Sequence, residues 1–167
     1  SFSTTLPAFT LATVPTLTDV HAVSDSGISL KVLNGLNPSN TEISIQETLT
    51  GKYVNISTGQ LEINPYWGVN SGEFINITGL NPSTTYTFKV KARNGDNIET
   101  EYSGTSSATT LLATVSAISP TVDSSTQITW RIAGDTSDIL GIKLYSEGGE
   151  LIKTCLGSDI YSCSEGS

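Results

Sequence analysis

The chain has 167 residues, 37% hydrophobic and 14% charged, with no methionine and a formal net charge of -8. That length admits one domain or two small ones, and the Thr- and Ser-rich composition belongs to a β-rich secreted protein rather than a helical cytosolic one. The acidic balance argues against nucleic acid and anionic lipid as partners, and no apolar run approaches the roughly 18 residues of a spanning helix, so membrane insertion is not expected.

In chain order, the opening "SFSTTLPAFT" lacks the positive and apolar regions of a signal peptide. Either a leader has been removed or the chain is a piece of something longer. Residues 1–14 read as an extended strand or linker. From there, alternation at period two recurs and helical period is nearly absent. "ISLKV" puts Ile28, Leu30 and Val32 on one face. "TEISIQET" puts Ile43 and Ile45 inward, with Glu42, Ser44 and Gln46 outward. "GEFINITGL" gives Ile75 and Ile77 the inward parity. "GLNPSTTYTFKVKARNG" then alternates Leu80, Pro82, Thr84, Tyr86, Phe88, Val90 and Ala92 against Thr85, Thr87, Lys89, Lys91 and Arg93. Strands of this kind bury one face and wet the other, as in antiparallel sheets. "NGLNPSN", "TGLNPS" and "RNGDN" separate them as turns. Short strands at this spacing predict a β-sandwich.

The second part of the chain repeats the first. "TLATVPTLTDVHAVSDSGISL" (10–30) aligns with "TLLATVSAISPTVDSSTQITW" (110–130), at an offset of about one sandwich domain. "STQITWRI" then sets Trp130 between Ile128 and Ile132, and "LGIKLYS" and "GELIKTC" follow as further strands.

The stretch "GLNPSTTYTFKVKARN" resembles the signature of fibronectin type III domains, in which Leu-x-Pro-x-Thr-x-Tyr leads from strand E into strand F and Ala-x-Asn follows. The resemblance implies an all-β, immunoglobulin-like sandwich. Leu80 and Pro82 would pin the E–F corner, and Tyr86 would be the corner tyrosine, its hydroxyl bonded back to the turn. It places strand A near 16–23, B at 27–33, C at 41–48, C′ near 52–57, E at 73–78, F at 84–93 and G at 98–110. The family usually has a Trp in strand B; here Leu30 and Val32 stand inward, so the core is filled differently. The implied organisation is an N-terminal strand or linker at 1–14, a sandwich at 15–111 and a partial second unit at 112–167. A strand-poor second unit exposes sheet edges. It is self-sufficient, disordered or mispaired, or completed by a strand from another chain, for which residues 1–14 are a candidate donor; the plainest expectation is an incomplete chain cut from a tandem array.

Few residues offer chemistry. His21 is the one histidine, on a strand-A stretch without a nucleophile elbow, and reads as solvated rather than as a catalytic base. One histidine and two cysteines do not make a zinc site. Asp135 and Asp138 lack the spacing of a calcium loop and read as a solvated loop. No cofactor is implied, and an enzyme is not expected. "RNGDN" (93–97) reads as a hairpin turn, since Asn-Gly accepts positive φ. Tyr66 and Trp67 in "NPYWGVN" either stack on a sugar or anchor a partner, or Trp67 folds over the core in place of the missing strand-B bulk. Asn55 and Asn76 begin the two Asn-x-Ser/Thr acceptor sequences. Cys155 and Cys163 either form a disulfide stapling neighbouring strands across a turn or stand as free thiols.

The expected function is a non-catalytic structural or adhesive module of a surface or secreted multidomain protein. Its partners would be neighbouring modules, other copies of the chain, glycans or cell-surface proteins. A filament subunit that exchanges strands and a carbohydrate-binding module are the alternatives.

Overall fold

A computed structural model of the chain describes residues 10–113, 115–124, 127–134, 141–145, 148–156 and 162–164; for 115–124, 127–134, 142, 144 and 162–164 it describes the backbone alone. The chain divides into two compact units, the first ending at Leu111 and the second beginning at Leu112.

The first unit holds β1 (Thr16–Ser24), β2 (Gly27–Leu33), β3 (Glu42–Glu47), β4 (Tyr53–Val54), β5 (Leu61–Glu62), β6 (Gly68–Val69), β7 (Ile75–Ile77), β8 (Thr85–Arg93) and β9 (Ser106–Thr109). They form two antiparallel sheets, β1-β2-β7 and β5-β4-β3-β8-β9, with β6 also on β3. The inward residues meet in one core: Ile28, Leu30 and Val32 of β2 and Ile75 and Ile77 of β7, with Ile43 and Ile45 of β3 and Tyr86, Phe88, Val90 and Ala92 of β8. Burying each Val, Leu, Ile or Phe side chain among these stabilises by about 1.5–3 kcal/mol. Among the described residues, Phe88 is the largest side chain fully removed from solvent.

Three strands are clearly shorter than the resemblance implies. Strand E, expected at 73–78, is regular only over Ile75–Ile77. Strand C′, expected near 52–57, ends at Val54 because Asn55 turns the chain. The Asn55 side-chain oxygen accepts the Ser57 and Thr58 amides at 3.0 and 3.3 Å, so the chain returns as β5, which the sequence pattern does not announce. Strand G, expected over 98–110, is regular only over Ser106–Thr109. Ahead of it, side-chain hydroxyls take up the ladder: Val90 N–H donates to Ser103 Oγ and Ala92 N–H to Thr100 Oγ1, both at 3.1 Å. These short polar side chains compete with backbone pairing.

The segment read as a strand or linker at 1–14 is described from residue 10. Over 10–14 it is not a strand. It is fastened to its own unit instead. Thr13 N–H donates to Asn37 Oδ1, and Asn37 Nδ2 donates back to the Thr13 carbonyl, both at 2.7 Å. Residues 1–9 lie outside the described residues.

The second unit holds β10 (Val115–Ser124), β11 (Gln127–Gly134), β12 (Gly141–Tyr145), β13 (Leu151–Leu156) and β14 (Ser162–Ser164), in sheets β10-β11-β14 and β12-β13. The sequence repeat is a repeat of register. Ala22 pairs Ile28 and Ser24 pairs Gly27 in β1–β2, and Val122 pairs Ile128 and Ser124 pairs Gln127 in β10–β11, with a register shift inside each pair of positions. Pro120 lies in β10, a sheet edge, where a missing N–H is tolerated.

Candidate functional site

The first unit is gripped at both ends by the same five-residue motif. "GLNPS" occurs at 35–39 and at 79–83, and each copy begins on a glycine in the left-handed region (Gly35 φ 62°, Gly79 φ 72°). That backbone is costly for a residue with a Cβ. The first copy supplies Asn37, whose amide brackets the Thr13 backbone. Asn94 Nδ2 adds a bond to the Thr10 carbonyl at 3.1 Å, and Pro15 is fully buried. The second copy is the E–F corner. Leu80 is buried, Pro82 half-buried, and Asn81 N–H donates to the Tyr86 hydroxyl at 2.9 Å. Thr110 Oγ1 donates to the Asn81 carbonyl, Ser83 N–H to the Leu111 carbonyl and Leu111 N–H to the Ser24 carbonyl. The chain therefore arrives at one end of the sandwich and leaves at the other, with the nine residues of β1 between.

Beside the arriving segment is a groove of about 230 Å3, lined among others by Leu11, Ala12, Pro38, Val69 and Arg93. Asn70, almost fully buried, braces this end by donating to the Val32 carbonyl at 2.9 Å and to Asn34 Oδ1 at 2.8 Å.

The outer face of β8 carries a row of cations and aromatic rings. Lys89 lies 4.1 Å from the centre of the Tyr102 ring, and Lys91 lies 5.0 Å from Tyr102 and 5.3 Å from Trp67. Arg93 stacks 4.5 Å from the Trp67 ring while its Nε donates to Glu42 at 2.6 Å. Lys91 also pairs with Glu99. Partial burial works against the Lys91 charge, but Glu99 and Tyr102 outweigh it and hold its pKa above the usual lysine value. Burial raises the Tyr102 hydroxyl, against the opposing pull of Lys91. Ser44, paired with Lys91 across the strands, is buried, and its hydroxyl has no hydrogen-bond partner among the described residues. Trp67 is thus not the filler of the core; it covers the polar face of the sheet, because its planar ring matches the flat guanidinium of Arg93. Tyr66 is committed elsewhere: its hydroxyl meets Ser57 Oγ at 2.6 Å.

Sequence reading missed Glu47. This carboxylate is fully buried at the end of β3. Oε1 accepts the Leu49 amide at 2.9 Å, and Oε2 accepts the Thr50 amide at 2.8 Å and the Thr50 hydroxyl at 2.6 Å. Burial pushes its pKa up, but these bonds, with one from the Thr87 backbone, prevail and hold it below the ordinary value. The available signal was parity: Glu47 follows Ile43 and Ile45 on the inward positions, with Thr50 in the turn beyond.

The remaining candidates are dispersed. His21 is exposed, and its Nδ1 faces the Asp19 carbonyl at 2.8 Å, beside the register shift in β1. Asn94 heads the β8–β9 turn, its Oδ1 accepting the Asp96 and Ile98 amides. Asn55 is half-buried and Asn76 exposed. Asp135 and Asp138 lie outside the described residues, as does the side chain of Trp130. No cluster of three or more metal-ligating side chains occurs among the described residues. Cys155 is buried in β13 and disulfide-bonded. Cys163, the other cysteine of the sequence, has its backbone in β14, and its side chain lies outside the described residues. The two positions are in different sheets rather than on neighbouring strands.

No family model matches the chain, and no curated protein matches it by sequence. Among solved structures it is similar to a two-domain fibronectin type III segment of chicken tenascin, with 15% identity, a TM-score of 0.57, and coverage of 93% of this chain and 82% of that one. This likeness shows the fold: the chain has the fibronectin type III β-sandwich. Chicken CNTN1 FN1–FN3 domains (14% identity, 93% of this chain and 54% of that one, TM-score 0.39) and a Yersinia enterocolitica family 28 exopolygalacturonase (18% identity, 60% and 20%, TM-score 0.42) also align, too distantly to bear on the reading.

Proposed function

We propose that the chain is a non-catalytic structural module of a secreted or surface protein, a spacer that transmits load and sets the distance between its neighbours. The observation that carries this reading is the fastening of the first unit at opposite ends. Force applied through the arriving segment is taken by the paired Thr13–Asn37 bonds and the buried Pro15. Force applied through the departing segment is taken by Leu111, bonded to Ser24 and Ser83. Between them the load runs along β1 and through the apolar core. The Cys155 disulfide supports an oxidising compartment, where such bonds persist. Pulling single full-length chains by their two ends tests the proposal. The Thr13 segment should release first, at a force that Asn37→Ala lowers, and the core of the first unit should then give way in one cooperative step. Gradual extension at low force would overturn the reading.

A second reading, a strand-exchanging filament subunit, is favoured by one contrast. β3 pairs with β8 as well as with β4 and β6, whereas β12, its counterpart in the second unit, pairs among the described residues with β13 alone. An unpaired edge is a template for an extended segment. Electron microscopy with light-scattering mass separates the two: regular polymers support the filament, and monodisperse monomers exclude it.

A further inference from the structure

We propose that Asn76 is the acceptor of an N-linked glycan and that Asn55, which heads the other acceptor sequence, is not. The proposal rests on the extracellular reading above.

The sequence holds two Asn-x-Ser/Thr sites, Asn55-Ile56-Ser57 and Asn76-Ile77-Thr78, and the fold treats their amides differently. The Asn55 side chain is spent at both ends. Its Oδ1 caps the turn through the Ser57 and Thr58 amides, and its Nδ2, the atom a glycan would take, donates to Glu62 Oε1 at 2.8 Å. Its backbone carbonyl also accepts the Gly59 amide at 2.8 Å, and its N–H donates to the Gln60 carbonyl at 2.9 Å. Asn55 is the pivot of the β4–β5 hairpin.

Asn76 is the middle residue of β7, between the inward Ile75 and Ile77, so its side chain stands on the outer face. It is exposed, and its amide makes no hydrogen bond among the described residues. Its surroundings are small. The cross-strand partner is Ser29, and the residue against its backbone carbonyl is Gly59, where an added Cβ would collide with that oxygen. The edge of β7 is already covered by the turn after Asn55, since Thr78 N–H donates to the Gly59 carbonyl at 2.9 Å, and what stays open at Asn76 is the outer face of the sheet. A bulky hydrophilic glycan there is accommodated without disturbing the core.

The co-reactant is a lipid pyrophosphate-linked oligosaccharide. The bond from its anomeric carbon to the pyrophosphate oxygen breaks as the bond to Asn76 Nδ2 forms. The amide gives one proton to a base of the transferring enzyme, and the lipid pyrophosphate leaves as the anion.

The test is to direct the full chain, behind a supplied leader, into the secretory route of a glycosylating host and to weigh it before and after N-glycosidase. A single glycan that is lost in Asn76→Gln and kept in Asn55→Gln is the expected result. An unmodified wild-type chain, or a glycan that survives Asn76→Gln, overturns the proposal. Asn76→Asp, the residue that N-glycosidase leaves behind, should melt with the deglycosylated wild-type, since the Asn76 side chain holds nothing in the fold. Because the leader is supplied, the outcome does not depend on the native destination. Surface labelling of native material tests that destination separately.

Discussion

The Tyr86 hydroxyl accepts the Asn81 N–H at 2.9 Å, across the corner that joins β7 to β8. The ring is buried in the core while the oxygen closes the turn. Ser83, within the turn, has φ 49°, a conformation that non-glycine residues avoid. The hydroxyl thus helps to hold a strained corner closed. Tyr86→Phe keeps the ring and leaves the Asn81 amide without this acceptor. It should cost about 1–2 kcal/mol, read as a lower denaturant midpoint at unchanged slope. A variant as stable as the parent would show that water satisfies the amide equally well.

Asn37 makes an analogous closure at the opposite end, but with its side chain against the backbone of a distant segment. Both partners of the Thr13 peptide are satisfied by one amide. Asn37→Ala removes both bonds, and a third from the Thr13 hydroxyl to Asn37 Oδ1 at 3.1 Å, all at an exposed site, so the global cost should be small, about 1 kcal/mol. The local effect should be larger. Hydrogen exchange at Thr13 should accelerate while exchange in β2 and β8 stays slow, because local opening is separable from global unfolding. Uniform acceleration would mean that the segment is integral to the core.

Glu47 links stability to acidity. Its folded pKa lies below the ordinary value, so the unfolded chain takes up the proton first. Its contribution is therefore complete above the unfolded pKa and is lost as pH falls through the folded one. Glu47→Gln cannot supply two carboxylate oxygens to Leu49 and Thr50. It should lower stability at neutral pH by roughly 1–3 kcal/mol and flatten the acid limb of the stability curve. Urea titrations of parent and variant from neutral to acid pH check both parts. Parallel curves would place the acid sensitivity elsewhere.

These groups show where sequence pattern succeeds and where it stops. Period-two alternation located β2, β3, β7 and β8 because each buries one face against the opposite sheet, and a residue on the wrong parity would be expelled; β1 was placed by the resemblance alone. β5 and β6 are two residues long and carry no alternation to read. Their places follow from the Asn55 turn and from Gly68, where a side chain would meet Ile56 and Tyr66. Trp67 was legible as unusual but not as to face, since a loop aromatic has no parity. Its partners, Lys91 and Arg93, lie more than twenty residues away and are brought beneath it by the β3–β8 pairing. Glu47 had the inward parity. A carboxylate can occupy such a position because the turn that follows donates to both of its oxygens.

The second unit offers the last prediction. Its two described sheets have no counterpart of β8, the strand whose Phe88 and Val90 bind the sheets of the first unit together. Cys155 belongs to one of those sheets and Cys163 to the other. A bond between them would therefore do covalently part of what a shared apolar core does in the first unit. The loop it closes is short, so the chain-entropy contribution is roughly 2–3 kcal/mol, a large fraction of what so small a unit can hold. Reduction should raise the intact mass by two hydrogens and abolish the cooperative transition of the second unit, leaving that of the first in place. Hydrogen exchange resolved by segment would separate the two transitions. Survival of protection in β12 and β13 after reduction would show that packing alone sustains the unit, and that the disulfide is incidental to it.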